Sequence, residues 1–108
     1  IRAEARAQQD NVIGLNSAES DLNIIRSRSV LSGTTETTKT AMLQDIYIER
    51  ARELFGEWGH RWLDVKRTGQ ADVVFKSNKT GWVSEAALYP IPFKDEQENP
   101  NLTQNSGY

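Results

Sequence analysis

The chain has no cysteine and a single histidine among its 108 residues. The first absence removes disulfides, thiolate metal sites and a cysteine nucleophile, and it leaves the compartment open. The second removes any zinc-protease pattern, which needs two imidazoles on one helix face. No apolar run approaches the roughly 20 residues of a membrane span, and no signal peptide is visible. An excess of either charge is missing too. The 13 basic and 15 acidic residues leave a net charge of -2, so no positive field gathers nucleic acid or anionic lipid. "RSRS" (26–29) and "KR" (66–67) are small basic spots on that background. A glycine-rich phosphate loop, a nucleophile elbow, an internal repeat and a low-complexity tract are absent as well.

What remains is a mostly helical pattern in a chain the size of one small domain. "IRAEARAQQ" (1–9) is rich in helix formers, with Ile1, Ala5 and Gln8 or Gln9 on one face. No start signal precedes Ile1, as expected of a piece of a longer polypeptide. Asp10, Asn11 and Gly14 break the pattern. A second helix is expected from an N-cap at Asn16 or Ser17, with Ala18, Leu22 and Ile25 as its apolar stripe. The two form a hairpin over 1–30, and each depends on packing for its stability. A Ser/Thr/Gly loop (29–40) leads into the strongest element, about Thr38 to Glu57. There Leu43, Ile46, Tyr47, Ala51, Leu54 and Trp58 keep the 3.6 period. Gly56 and Gly59 should bend or break that rod near Trp58–His60. A shorter helix over about Arg61–Arg67 then stops at Gly69. The stretch 38–68 thus reads as a kinked helix pair. Residues 70–108 read as an irregular, turn-rich tail, with Pro90 and Pro92 forcing an extended path at Ile91 and with Leu102 and Tyr108 as anchors.

The chemistry concentrates in "ELFGEWGHRWLDVKRTG" (53–69). Glu57, His60 and Asp64 at helical spacing could act as acid–base or metal-binding groups. More often such a set is structural. Glu49, Glu53, Glu57, Arg61 and Asp64 recur at three or four residues beside Arg50 and Arg52. Dense charge next to Trp58 and Trp62 points to partly buried ion pairs that brace helix crossings. Trp58 and Trp62, four apart, read as core. Trp82, in the less regular region, is the aromatic expected to be exposed and the single candidate for contact with a ligand. No catalytic or metal-binding residue is assigned.

Three stretches together resemble a known family. "IERARELFGEWGHRWLDVKRTG" (48–69), "LYPIPFKDEQENPNLTQNSGY" (88–108) and the upstream "IRAEARAQQDNVIGLNSAESDLNIIRSRS" are similar, in order, to the C-terminal region of the SusD/RagB family. Glu49, Arg50, Glu53, Leu54, Glu57, Gly59, Arg61, Trp62, Asp64 and Arg67 match its signature. Trp58 stands between Glu57 and Gly59 where many members have Glu–Gly directly, and Ser106 replaces a proline. The resemblance implies a mainly helical, tetratricopeptide-like fold. It also implies a cofactor-free, non-enzymatic lipoprotein of the bacterial outer-membrane surface, its lipid anchor lying outside this chain. Such proteins capture oligosaccharides, or in some cases peptides, and pass them to a TonB-dependent transporter. The implied role of the signature residues is bracing, and no binding residue carries over. A helical protein–protein adaptor using the 1–30 hairpin is the alternative.

Overall fold

A computed structural model describes residues 1–108 as an all-helical chain. Its elements are α1 (Arg2–Gln8), α2 (Ala18–Arg28), α3 (Lys39–Glu53), α4 (His60–Arg67), α5 (Ala71–Phe75), a 3-10 turn (Ser84–Ala87) and α6 (Phe93–Glu98). The chain forms two compact units, residues 1–60 and 61–108.

In the first unit the helix starts follow their caps. The Ser17 hydroxyl accepts from the Ser20 amide at 3.2 Å and the Thr38 hydroxyl from the Ala41 amide at 3.3 Å, each satisfying a donor that the first turn leaves open. The ends of α1 and α2 share one design. Asn11 N–H reaches Arg6 C=O and Asp10 N–H reaches Ala7 C=O. Leu31 N–H reaches Arg26 C=O and Val30 N–H reaches Ser27 C=O. Both are Schellman closures, which place one residue in the left-handed region. Here that residue is Asp10 (φ 62°) or Val30 (φ 57°) where glycine is usual.

The core joins α1, α2 and α3 through Ala7, Ala18, Leu22, Met42 and Ile46, with Ala3, Val12, Leu43 and Tyr47 packed against it. Two alanines at the centre let α1 and α2 approach closely. The buried face of α1 is therefore Ala3/Ala7, and not the Ile1/Ala5 face that its sequence suggests; Ile1 and Ala5 are exposed.

Ion pairs complete the crossings. Asp21, buried in the first turn of α2, takes two bonds from Arg2 (2.9 and 2.7 Å) and one from Arg6 (2.8 Å). Arg28 donates to Glu53 at 2.8 Å, and Arg26 stands 3.8 Å from Asp45 and 3.6 Å from Glu49. The loop before α3 is tied down as well: Asn23 accepts from the Thr34 amide at 2.8 Å, Arg26 donates to Ser32 C=O at 2.8 Å, and the Thr34 hydroxyl bonds Asp45.

The expected rod over 38–57 ends earlier, at Glu53. Gly56 (φ 76°) and Gly59 (φ 71°) both turn left-handed, and Trp58 between them does too (φ 43°). The break is therefore a complete turn from Leu54 to Gly59, not a kink. Trp58 and Trp62 then belong to different elements, and their spacing of four no longer aligns them. Trp58 is 91% exposed, which corrects its assignment to the core.

In the second unit α4 stops as its sequence indicates. Gln70 N–H reaches Val65 C=O at 2.8 Å and Gly69 N–H reaches Lys66 C=O at 3.2 Å, with Gly69 at φ 67°, a third Schellman closure. The region after Gly69 is more ordered than an irregular tail. It holds α5, the 3-10 turn and α6, and its last residues clamp an earlier segment. The Gln104 carboxamide accepts from Ile91 N–H (2.7 Å) and donates to Ile91 C=O (2.9 Å). Asn105 donates to Tyr89 C=O at 2.6 Å and the Tyr108 hydroxyl to Leu88 C=O at 2.8 Å. Pro90 and Pro92 have no N–H, so Ile91 offers the one complete pair of backbone groups in "PIP", and a side-chain amide takes both. Tyr108 is an anchor, as expected. Leu102 is exposed.

Candidate functional site

The aromatic side chains of the second unit gather in one place. Trp62, on α4, lies 5.9 Å from Phe75, 6.3 Å from Trp82 and 6.0 Å from Tyr89 between ring centroids, and Phe75 lies 4.8 Å from Trp82. The tilted and edge-to-face geometries are those the ring quadrupoles favour. Two cations stand on these faces. Lys66 Nζ is 5.4 Å from the Trp62 centroid and 5.7 Å from that of Tyr89, and Lys79 Nζ is 5.8 Å from that of Trp82, all within cation–π range.

Asp72 fixes Trp82. Its carboxylate accepts from the indole N–H at 2.8 Å and from the Ser84 hydroxyl at 2.7 Å, with Lys76 Nζ at 3.2 Å. These donors, Ser84 first and Trp82 next, hold the Asp72 carboxyl below the usual carboxylate range. Trp82 is thus half-buried rather than the exposed aromatic of the sequence reading. The exposed tryptophan is Trp58. The signal was present: an acidic residue ten positions before the tryptophan, on a helix short enough to fold back.

Beside the cluster lies a cavity of about 310 Å³ between α4, α5 and the 3-10 turn. Lys66, Asp72 and Ser84 supply its polar groups, and Gly69, Ala71, Ala87 and Leu88 its apolar wall. A second cavity, of about 210 Å³, lies in the first unit, lined by Ile1, Leu22, Ile25, Ile46 and Leu54 together with Glu49 and Glu53.

The acid–base candidates are placed as follows. Glu57 is exposed in the turn before α4, His60 is half-buried, and Asp64 is paired with Arg67 at 3.0 Å. No three His, Asp or Glu side chains gather closely enough to hold a metal ion. The bracing charges lie elsewhere than expected. Glu49, 4% exposed, and Glu53 brace the crossing with Arg26 and Arg28 of α2, whereas Glu57 and Arg61, which flank the tryptophans, are exposed. The turn at Gly56–Gly59 removes the helical alignment that would have joined all five. Asp21, Arg2 and Arg6 form the tightest charged group, and the sequence reading missed it. Its partners are 15 and 19 residues apart, beyond any local spacing rule.

The sequence model of the SusD family matches residues 1–108. The starch-binding protein SusD of Bacteroides thetaiotaomicron is 33% identical over 119 aligned residues, which take in 99% of this chain and 19% of that relative. The chain thus spans about one-fifth of the relative's length. No solved structure matches the chain.

Proposed function

Because the chain belongs to the SusD family, we propose that it serves a non-enzymatic, glycan-binding protein of the bacterial outer-membrane surface. That protein is held by a lipid anchor and hands oligosaccharide to a TonB-dependent transporter. The observation that carries this reading is the match along the whole chain, together with 33% identity to a starch-binding protein. The structure adds support at the level of chemistry. Several residues of the family signature lie where they brace helices or close turns: Glu49 and Glu53 at the α2–α3 crossing, Gly59 in the turn before α4 and Trp62 in the aromatic cluster. Those signature residues therefore act as scaffold. Trp82, with its ring in the cluster and its N–H fixed by Asp72, remains the proposed aromatic contact for sugar.

Electrophoresis of the intact protein through gels containing starch or other polysaccharides tests the reading, with co-purification of the transporter as a second arm. Retardation by at least one polysaccharide is expected. Free migration in every gel, together with no transporter in the eluate, would remove it. A helical protein–protein adaptor using the 1–30 hairpin is the second reading, and one observation favours it: the aliphatic cavity between α1, α2 and α3. Binding of an amphipathic peptide in preference to any glycan would select it.

A further inference from the structure

We propose that the cavity between α4, α5 and the 3-10 turn is a subsite for one neutral sugar residue, held through a pair of adjacent hydroxyls by Asp72, Ser84 and Lys66. The inference rests on the glycan-binding reading above and gives it a place. At about 310 Å³ the cavity lies at the lower end of ligand-site volumes, so it holds one small molecule and not an extended chain. The ligand class follows from its lining. The ionised Asp72 carboxylate repels anions, and the Lys66 ammonium repels cations. A neutral molecule that both donates and accepts satisfies the two together. A hydroxyl does both through one oxygen, giving its proton to a carboxylate and taking one from an ammonium.

The lining groups retain that capacity. Asp72 receives Trp82 on Oδ1, and Ser84 and Lys76 on Oδ2, which leaves one lone-pair site, on Oδ1, of the roughly four that a carboxylate offers. Lys66 has ring faces beneath it, so its ammonium is held in place without losing its donors to a carboxylate. Gly69, Ala71, Ala87 and Leu88 provide a smooth apolar wall suited to the C–H face of a sugar ring. Gly69 is left-handed because it closes α4, so the Schellman closure that ends the helix also shapes the wall. Trp82 acts here as a positioning residue: its N–H orients Asp72.

The test is a two-dimensional NMR titration of the protein with maltotriose, read at the amides of Gly69, Ala71 and Ala87. Shifts at these positions are expected. Ser84→Ala should weaken the response about five-fold, the worth of one neutral hydrogen bond, and Lys66→Met about ten-fold or more. Asp72 is left unchanged because it also holds Trp82. Ala87→Leu fills the cavity and should abolish the shifts, with circular dichroism confirming that the helices remain. Shifts confined to residues outside this cavity, or Ala87→Leu binding like the parent, would overturn the subsite and leave the glycan reading standing. No response to maltotriose, and none to other oligosaccharides by the intact protein, would overturn both.

Discussion

Val30 and Asp21 show how single positions set the stability of the first unit. Val30 ends α2 in the left-handed region while 94% exposed, so it bears backbone strain of about 1–3 kcal/mol with no packing in return. Val30→Gly should raise the thermal midpoint by several degrees, an effect of about 1 kcal/mol read by circular dichroism. Asp21 carries the opposite lesson. Hydrogen bonds from Arg2, with the charges of Arg2 and Arg6, hold its carboxyl below the ordinary range. The unfolded chain protonates this group near its usual pKa of about 3.9, and so binds a proton that the folded state still refuses. The stabilisation is complete above that value and is lost as pH falls through the lower, folded one. Asp21→Asn should cost about 1.5–3 kcal/mol at pH 7 and flatten the acid limb of a stability–pH curve. An unchanged limb would show that other carboxylates govern it.

Among the elements, the segment 88–108 depends most on specific pairings. Tyr108 N–H returns to Asn105 C=O at 3.3 Å, with Gly107 at φ 93° in the third position. This is a type II turn, whose second position favours proline. Ser106 occupies that position. Ser106→Pro should stabilise by about 0.4–1 kcal/mol, chiefly by restricting the unfolded chain, and chemical denaturation would measure it. Gly107→Ala should do the reverse and release the Tyr108 bond, because a Cβ there would lie 2.7 Å from that of Glu85 on a backbone that already favours glycine. The sequence disclosed the helices well, since Ser17 and Thr38 are side-chain caps and Leu22 and Ile46 recur on buried faces. It disclosed the tail poorly. Gln104 to Ile91 is a side-chain-to-backbone pairing across 13 residues, which has no periodicity to read. Trp58 misled for a related reason: its spacing from Trp62 was helical, but α3 ends at Glu53, and the left-handed Gly59 separates Trp58 from α4.

Across the whole molecule, the two units are held together internally by different means. Residues 1–60 enclose an aliphatic core centred on Met42 and Ile46, and Met42→Ala should cost about 2–5 kcal/mol. Residues 61–108 bury little beyond Val65 and Ala71 and rely on half-buried rings and side-chain bonds. Hydrogen exchange should therefore be slower at the amides of α2 and α3 than at those of α5 and α6. Equal protection would mean that the aromatic cluster contributes as much as the aliphatic core. The candidate subsite was legible only as one tryptophan, Trp82. Its polar groups come from three separate elements, and only folding brings Lys66, Asp72 and Ser84 to one cavity.

The pairing of Gln104, Asn105 and Tyr108 with Ile91, Tyr89 and Leu88 works like a keyed lock. The teeth are two carboxamides on stems of different length and one phenol, unevenly spaced along the chain, so the segment can engage in a single alignment. Losing or gaining one residue between positions 92 and 104 would offset every tooth at once, which makes spacing there as consequential as residue identity.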